Sequence, residues 1–266
     1  MIPALPDILA RIVAVKREEV AAKLKFRIGL ERNAETQRGQ RRSFRKALEA
    51  ASPAIIAEIK QASPSKGKLT ADFNPARLAQ QYFAGGAAAL SVLTDKDFFQ
   101  GSLNDLKVAR SAAALPVLRK DFTIDAIDVI EAAASGADAI LLIVAILNVE
   151  ELKQFQQLAW HYQMDALVEV HAEDELDKAL EAGAQIIGVN NRDLRTFVLS
   201  LETSERLAAR IPSTAIAVSE SGIHTADDVI RLSRHGFQAF LVGEQLMKSE
   251  DPRAALQTLH GRPVSA

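Results

Sequence analysis

The 266-residue sequence contains no cysteine. Disulfides and thiolate metal sites are therefore excluded, and a reducing compartment is the expected setting. No apolar run approaches the ~18–20 residues of a membrane span. The start, MIPALPDILARIVAVKREEV, carries charges within its apolar pattern and lacks the basic start and apolar core of a signal peptide. These absences predict a cytoplasmic protein with no membrane partner. The five histidines, His161, His171, His224, His235 and His260, have no metal-ligand spacing, so no metal is expected. The phosphate-binding Walker frame, GxGxxG and GxSxG are all missing. Aromatic residues do not interleave with the arginines of QRGQRR, as a single-strand nucleic-acid surface needs, so no nucleic-acid partner is expected.

The composition that remains is that of a globular chain, 48% hydrophobic and 25% charged, long enough for one large domain. Net charge is −2 but uneven: residues 1–48 carry 12 basic and 5 acidic residues, the rest 20 and 29. The basic segment reads either as a solvated helical face or as an attractor of anions. Its apolar positions Ile8, Leu9, Ile12, Val13, Val20 and Leu24 have mostly helical periodicity over 5–26, and a second short helix runs from Phe44 to Ala51. These pieces are too few to close a core, so residues 1–48 read as an N-terminal helical extension and 49–266 as the main domain.

After Pro53 the pattern repeats. Short apolar runs at 54–59, 88–93, 116–119, 138–144, 165–170, 185–190, 214–219 and 239–243 (β1 to β8) alternate with helical segments such as 75–84, 103–113, 125–134, 149–163 and 172–182. Eight such units in a chain of this length predict an α/β fold, a (β/α)8 TIM barrel. Gly86, Gly136, Gly183 and Gly236 each follow a helix and precede an even strand, where a left-handed helix cap is wanted.

Barrel enzymes place their chemistry at the C-terminal ends of the strands. There, β1 ends in Glu58 and Lys60, β3 in Arg119, Lys120 and Asp121, β5 contains Glu169, β6 supplies Asn190 and β7 ends in Glu220. Alternation puts Glu58 and Lys60 on the face of Ile56, Lys120 with Leu118, Glu169 with Leu167, Glu220 with Val218 and Asn190 with Gly188. They converge on the barrel mouth. Burying such charges is a poor route to stability, so the cluster reads as a reaction site. Repulsion between the two lysines is expected to lower the pKa of one, making it a better acid. The loop Ser63-Pro64-Ser65-Lys66-Gly67, Ser221-Gly222 after β7 and Gly243 after β8 have the character of a phosphate cradle. Phe98-Phe99, after β2, is either core filler or the apolar wall of a site. His171, at the start of the helix after β5, reads as a surface or cap residue rather than a catalyst.

In order along the chain, AEIKQASPSKG, VLRKDF, ADAILLIVAIL, LVEVH, GVNNRDLRTF, VSESGI and FLVGEQLM resemble the motifs of the indole-3-glycerol-phosphate synthase family of tryptophan biosynthesis. ILARIVAVKREEV is similar to that family's N-terminal extension. The resemblance implies a lyase that converts 1-(2-carboxyphenylamino)-1-deoxyribulose 5-phosphate to indole-3-glycerol phosphate, CO2 and water, without cofactor. It implies Lys120 as the general acid at the ketose oxygen and Glu169 as its acid/base partner. Lys60 would hold the carboxylate and share in the acid work, while Glu58, Asn190 and Glu220 orient the lysines and the sugar hydroxyls. Ser221, grouped with these catalytic residues, would bind phosphate together with Ser63, Gly222 and Gly243, and Phe99, Phe122, Leu141 and Ile143 would hold the ring. The expected partner is a small phosphorylated substrate, on a monomer or weak homo-oligomer. Glu244, beside Gly243, is expected to turn its carboxylate away from the phosphate. The apolar pair Val198-Leu199 has no evident reason. Alternatives are another phosphate-binding barrel of the same pathway or a non-catalytic ligand-binding barrel. A lid role for residues 1–48 would make their deletion raise KM.

Overall fold

The computed structural model describes residues 7–64, 67–70 and 72–261. Eight parallel strands close into a barrel in the order β1-β8-β7-β6-β5-β4-β3-β2, with β1 Ala54–Ile59, β2 Ala89–Leu93, β3 Val117–Lys120, β4 Ala139–Ile143, β5 Asp165–Val170, β6 Ile186–Asn190, β7 Ile216–Glu220 and β8 Ala239–Val242. Each lies within two residues of the run read from the sequence. A two-stranded hairpin, Ala62–Ser63 with Gly67–Lys68, follows β1.

Alternation along the strands makes two apolar layers. Ile56, Ala89, Leu118, Ala139, Leu141, Leu167, Ile186, Val218 and Leu241 fill the barrel interior. Their neighbours Ile55, Ala57, Leu90, Val117, Ile140, Val168, Ile187 and Phe240 pack outward against the helices. Parallel strands buried on both faces need such continuous apolar runs. Most helices of the barrel begin at side-chain caps: Asn74 for α4 (Pro75–Gly85), Ser102 for α5 (Leu103–Ala112), Asp125 for α6 (Ala126–Ala134), Asn148 for α7 (Val149–His161) and Thr225 for α10 (Ala226–Arg234). Helices α8 (Glu173–Glu181) and α9 (Glu202–Ala208) have no such cap and instead carry acidic residues in their first turns, which suit the positive end of the helix dipole. The glycines read as helix stops, Gly86, Gly136, Gly183 and Gly236, all have positive φ.

The N-terminal helices embrace the barrel. Helix α3 (Phe44–Glu49) closes its N-terminal end: Phe44 and Leu48 are fully buried against Ala54, Ala139, Ile186 and Ala239. Helix α2 (Arg27–Gln37) lies along α6. The sequence pattern carries no sign of α2, because Ala34 is its one buried residue and Ile28 is 77% exposed. Helix α1 (Asp7–Lys23) reaches the opposite, C-terminal end. There Lys16 sits 2.8 Å from Asp121, 2.9 Å from Asp95 and 3.1 Å from Glu19. One turn pair further on, Lys23 lies 2.8 Å from Glu131 and 3.0 Å from Asp128. Part of the extension's positive charge is therefore already paired, since these two lysines neutralise carboxylates after β2 and β3 and on α6. Arg41 and Arg42 donate instead to backbone carbonyls of Ala133, Tyr162, Arg110, Ala113 and Leu115. No helix among the described residues is long and apolar enough to cross a membrane.

Candidate active site

At the C-terminal end of the strands lies a cavity of about 180 Å³. All fourteen residues singled out from the sequence border it: Glu58, Lys60, Ser63, Phe99, Lys120, Phe122, Leu141, Ile143, Glu169, Asn190, Glu220, Ser221, Gly222 and Gly243. Ser65 and Lys66, the middle of the loop after β1, lie outside the described residues.

Two lysines stand at the floor. Lys120 Nζ is 3.0 Å from Glu169 Oε2 and 3.5 Å from Glu220 Oε2. Lys60 Nζ is 2.5 Å from Glu58 Oε1. The strand register puts Glu169 beside Gly188, and Asn190 beside Glu220. Two glycines make room for the carboxylates. A Cβ on Gly188 would collide with Glu220 Oε1, and one on Gly243 would collide with Glu58 Oε1. Gly243 thus has a spatial duty toward Glu58 besides any contact with phosphate.

The electrostatics set Glu169 and Glu220 apart. Burial raises the proton affinity of Glu169, but Lys120 and His171 outweigh it and hold its pKa far below the usual carboxylate range. Burial also pushes Glu220 upward; Lys120 opposes this, while the charges of Glu169 and Glu58 reinforce it, and the net shift is up. Glu220 Oε1 has no hydrogen-bond partner among the described residues. The site therefore holds an ionised Glu169 beside a Glu220 that retains its proton more readily, and the two titrate as a pair. Lys120 goes the other way from the expectation of a lowered lysine. Burial disfavours its charge, but Glu169, Glu220 and Glu58 surround it and raise its pKa.

The walls are apolar. The rings of Phe99 and Phe122 tilt toward each other with centroids 6.1 Å apart. Both backbone N–H groups are anchored by carboxylates that Lys16 also holds: Phe99 donates to Asp95 Oδ1 at 3.2 Å and Phe122 to Asp121 Oδ1 at 2.8 Å. Of the two readings for Phe98-Phe99, the wall holds for Phe99. Ile8, Leu9 and Ile12 of α1 close one side, and Leu194, Phe197 and Leu199 of the loop after β6 close another. That explains the apolar pair Val198-Leu199 in part, because Leu199 faces the cavity whereas Val198 is 62% exposed.

At the rim, Ser221 (φ 67°) and Gly222 (φ 76°) are both left-handed. A left-handed serine costs ~1–3 kcal/mol and needs support. Asn191 gives it, donating to the Ser221 carbonyl at 3.1 Å and to Ser219 Oγ at 2.9 Å while accepting from Ser204. Glu244 accepts a 2.7 Å bond from Lys248 on its C-terminal side and lies 4.0 Å from Arg192, so its charge is balanced by two cations.

Sequence reasoning raises a lid role for residues 1–48 without naming the residues of α1 that line the site, and it misses the role of Asn191 and the placement of His171. The lining residues of α1 leave a trace in the apolar spacing of Ile8, Leu9 and Ile12, and Asn191 leaves one in the polar run Asn190-Asn191.

The model of the family described as indole-3-glycerol phosphate synthase matches residues 9–259. The chain belongs to the indole-3-glycerol phosphate synthase family. Among its curated relatives, the indole-3-glycerol phosphate synthase of a Polaromonas species is 50% identical over 97% of this chain and 99% of its own length. That of Acinetobacter baumannii is 48% identical over 99% of both chains. Solved structures share the fold at much lower identity: thiamine phosphate pyrophosphorylase from Pyrococcus furiosus (TM-score 0.59, 17% identity, 79% of this chain and 94% of that one) and N-acetylmannosamine-6-phosphate 2-epimerase from Clostridium perfringens (0.59, 16%, 74% and 89%).

Proposed function

We propose that this chain closes the indole ring of 1-(2-carboxyphenylamino)-1-deoxyribulose 5-phosphate, releasing CO2 and water to give indole-3-glycerol phosphate. The observation that carries the reading is Lys120 held between Glu169 at 3.0 Å and Glu220 at 3.5 Å, in a cavity whose other lysine has a separate carboxylate. Ring closure on a ketone needs a proton at the departing oxygen. Lys120, charged and aimed into the cavity by β3, is suited to donate it, and a positioned acid contributes typically ~10²–10⁴-fold. The surrounding glutamates raise the pKa of Lys120 and make it a weaker acid in the resting site, so the proton leaves only when the substrate's developing oxyanion competes for it.

Lys60, one residue past the end of β1, takes the substrate carboxylate in this reading and shares in the acid work. Glu169 is the ionised base that accepts protons as the ring becomes aromatic and water leaves. Glu220, inclined to keep a proton, has a hydrogen to offer a sugar hydroxyl that an ionised carboxylate lacks, and Asn190 faces the same region. Phe99, Phe122, Leu141 and Ile143 hold the ring. Ser63, Ser221, Gly222 and Gly243 border the rim where phosphate binds. The division into an extension of residues 1–48 and a barrel of residues 49–266 belongs to this reading, with α1 as one wall of the site. The test is direct: supply the carboxyphenylamino-deoxyribulose phosphate and follow indole fluorescence. Product formation supports the reading; no product from folded protein at high concentration ends it.

A further inference from the structure

Behind Glu169 stands a histidine that the scheme above does not use. His171 follows Glu169 by two residues and lies just past the end of β5, in the bend that leads to α8. Its Nε2 lies 3.4 Å from Glu169 Oε1, the oxygen that Lys120 does not touch. Its Nδ1 is 3.0 Å from Glu175 Oε2, and its backbone N–H donates to the same oxygen at 2.7 Å. The Nδ1 contact is a hydrogen bond and the Nε2 contact an ion-pair approach without one, and a carboxylate beside each nitrogen favours the imidazolium. Its side chain is 12% exposed and that of Glu175 17%.

We propose that His171 is a positioning residue for Glu169: it holds one carboxylate oxygen while Lys120 gives up its proton and with it its grip on the other. The inference rests on the assignment of Lys120 as acid and Glu169 as base. In the resting site Glu169 is clamped between two cations. When Lys120 passes its proton to the substrate oxygen, its amine becomes neutral and the charge that oriented Oε2 disappears. Without a second anchor the carboxylate would be free to turn at the moment it must accept a proton. His171 is not consumed in that step, so its contact with Oε1 persists, and the proton that Glu169 takes from the substrate returns to Lys120.

The charged groups facing His171 are few. Glu169 comes from its own strand and Glu175 from α8. The packed turn Val144–Ile146 contributes apolar side chains, and Lys120 and Glu220 reach the imidazole through Glu169. Burial opposes the imidazolium, but Glu169 and Glu175 prevail and push its pKa up to about 10.

The experiment compares kcat and KM across pH for the wild-type chain, His171→Asn, His171→Lys and Glu175→Gln, with circular dichroism to confirm folding. In His171→Asn, kcat is expected to fall about tenfold with KM changed less than about twofold, a smaller loss than the ~10²–10⁴ of a proton-transferring group. The wild-type decline in kcat as His171 loses its proton near its pKa of about 10 should vanish in that variant. His171→Lys keeps a cation there and should retain kcat within about threefold of wild type. Glu175→Gln removes one support of the imidazolium and should move the basic limb to lower pH, which keeps the test open if His171→Asn does not fold. Wild-type kcat and profile in His171→Asn would overturn the inference, as would equal losses in His171→Asn and His171→Lys with the basic limb unmoved, or an unmoved limb in Glu175→Gln. A wild-type chain that makes no product would instead overturn the proposed reaction.

Discussion

At the N-terminal end of the barrel Asp138 is fully buried and accepts from four donors: the backbone N–H groups of Arg42 and Val117 and two guanidinium nitrogens of Arg110. At the C-terminal end Glu220 is equally buried, yet its best cation is 3.5 Å away and its other oxygen has no partner among the described residues. A buried carboxylate whose bonds are all made is committed to structure. One left partly unsatisfied has capacity for a ligand. The same contrast runs through the apolar parts, since Phe44 and Leu48 fill one mouth completely while Phe99 and Phe122 stand at the edge of a cavity at the other.

The largest expected effect breaks the two ends apart by activity. Lys120→Ala should lower kcat by ~10²–10⁴-fold. Its thermal midpoint should change little, because Glu169 keeps the His171 cation and Glu220 already retains a proton readily. Indole formation and a melting curve on the same sample check both halves.

Asp138→Asn should do the reverse. It presents an amide to donors that need an acceptor, and breaking a buried, fully bonded ionic group costs about 3–5 kcal/mol. Urea unfolding should show that loss, while kcat of the folded enzyme stays near wild type. A large drop in kcat with unchanged stability would erase the distinction between the ends.

The same contrast governs how much of the molecule is legible in its sequence. Strand alternation is a local property, and residue spacing alone places Glu58, Lys120, Glu169, Asn190 and Glu220 on the inner face. The closed barrel gathers them, with Ser221 and Gly243, around one cavity. Contacts between distant segments leave no such mark. Nothing in the sequence around Lys16 announces Asp95 and Asp121, and the positive charge of residues 1–48 reads as a solvated face or an attractor of anions rather than as ion pairs already made. His171 reads as a helix cap because its meeting with Glu169 depends on a side-chain direction that spacing does not set. The raised pKa of Lys120 is equally out of reach, since it depends on three carboxylates converging from β1, β5 and β7.

A smaller effect sharpens the comparison through pH. At the C-terminal end Asp121 is buried, but Arg119 and Lys16 outweigh burial and hold its pKa well below its ordinary 3.8. Its contribution to stability is therefore present above 3.8 and is lost as pH falls below that value toward its folded pKa. At the N-terminal end burial raises the pKa of Asp165 despite backbone bonds from Arg45 and Phe44. That contribution has the opposite sign, complete below 3.8 and lost as pH rises through the raised value. Asp121→Asn should flatten the acid side of the stability profile, and Asp165→Asn should remove the opposing slope just above it. Unfolding free energies measured across the acid range, through and above the ordinary aspartate pKa, decide; the same slope change in both variants would contradict the assignment.

The smallest expected effect concerns the loop after β6. Its conformation is set by polar bonds: Asp193 Oδ1 accepts from the N–H groups of Arg195 at 2.7 Å and Thr196 at 2.8 Å, and the Asp193 backbone pairs with Val198 and Phe197. Arg192 and Leu199 form a bridge at its base. Val198 is 62% exposed and does not border the cavity, whereas Leu194, Phe197 and Leu199 do. Val198→Ser should therefore change stability by no more than about 0.5 kcal/mol and leave KM unaltered. Leu199→Ser removes part of a wall and should raise KM with less effect on kcat. If Val198→Ser raises KM as much as Leu199→Ser, the loop moves during binding so that Val198 turns inward, and the apolar character of this rim serves the bound state rather than the resting one.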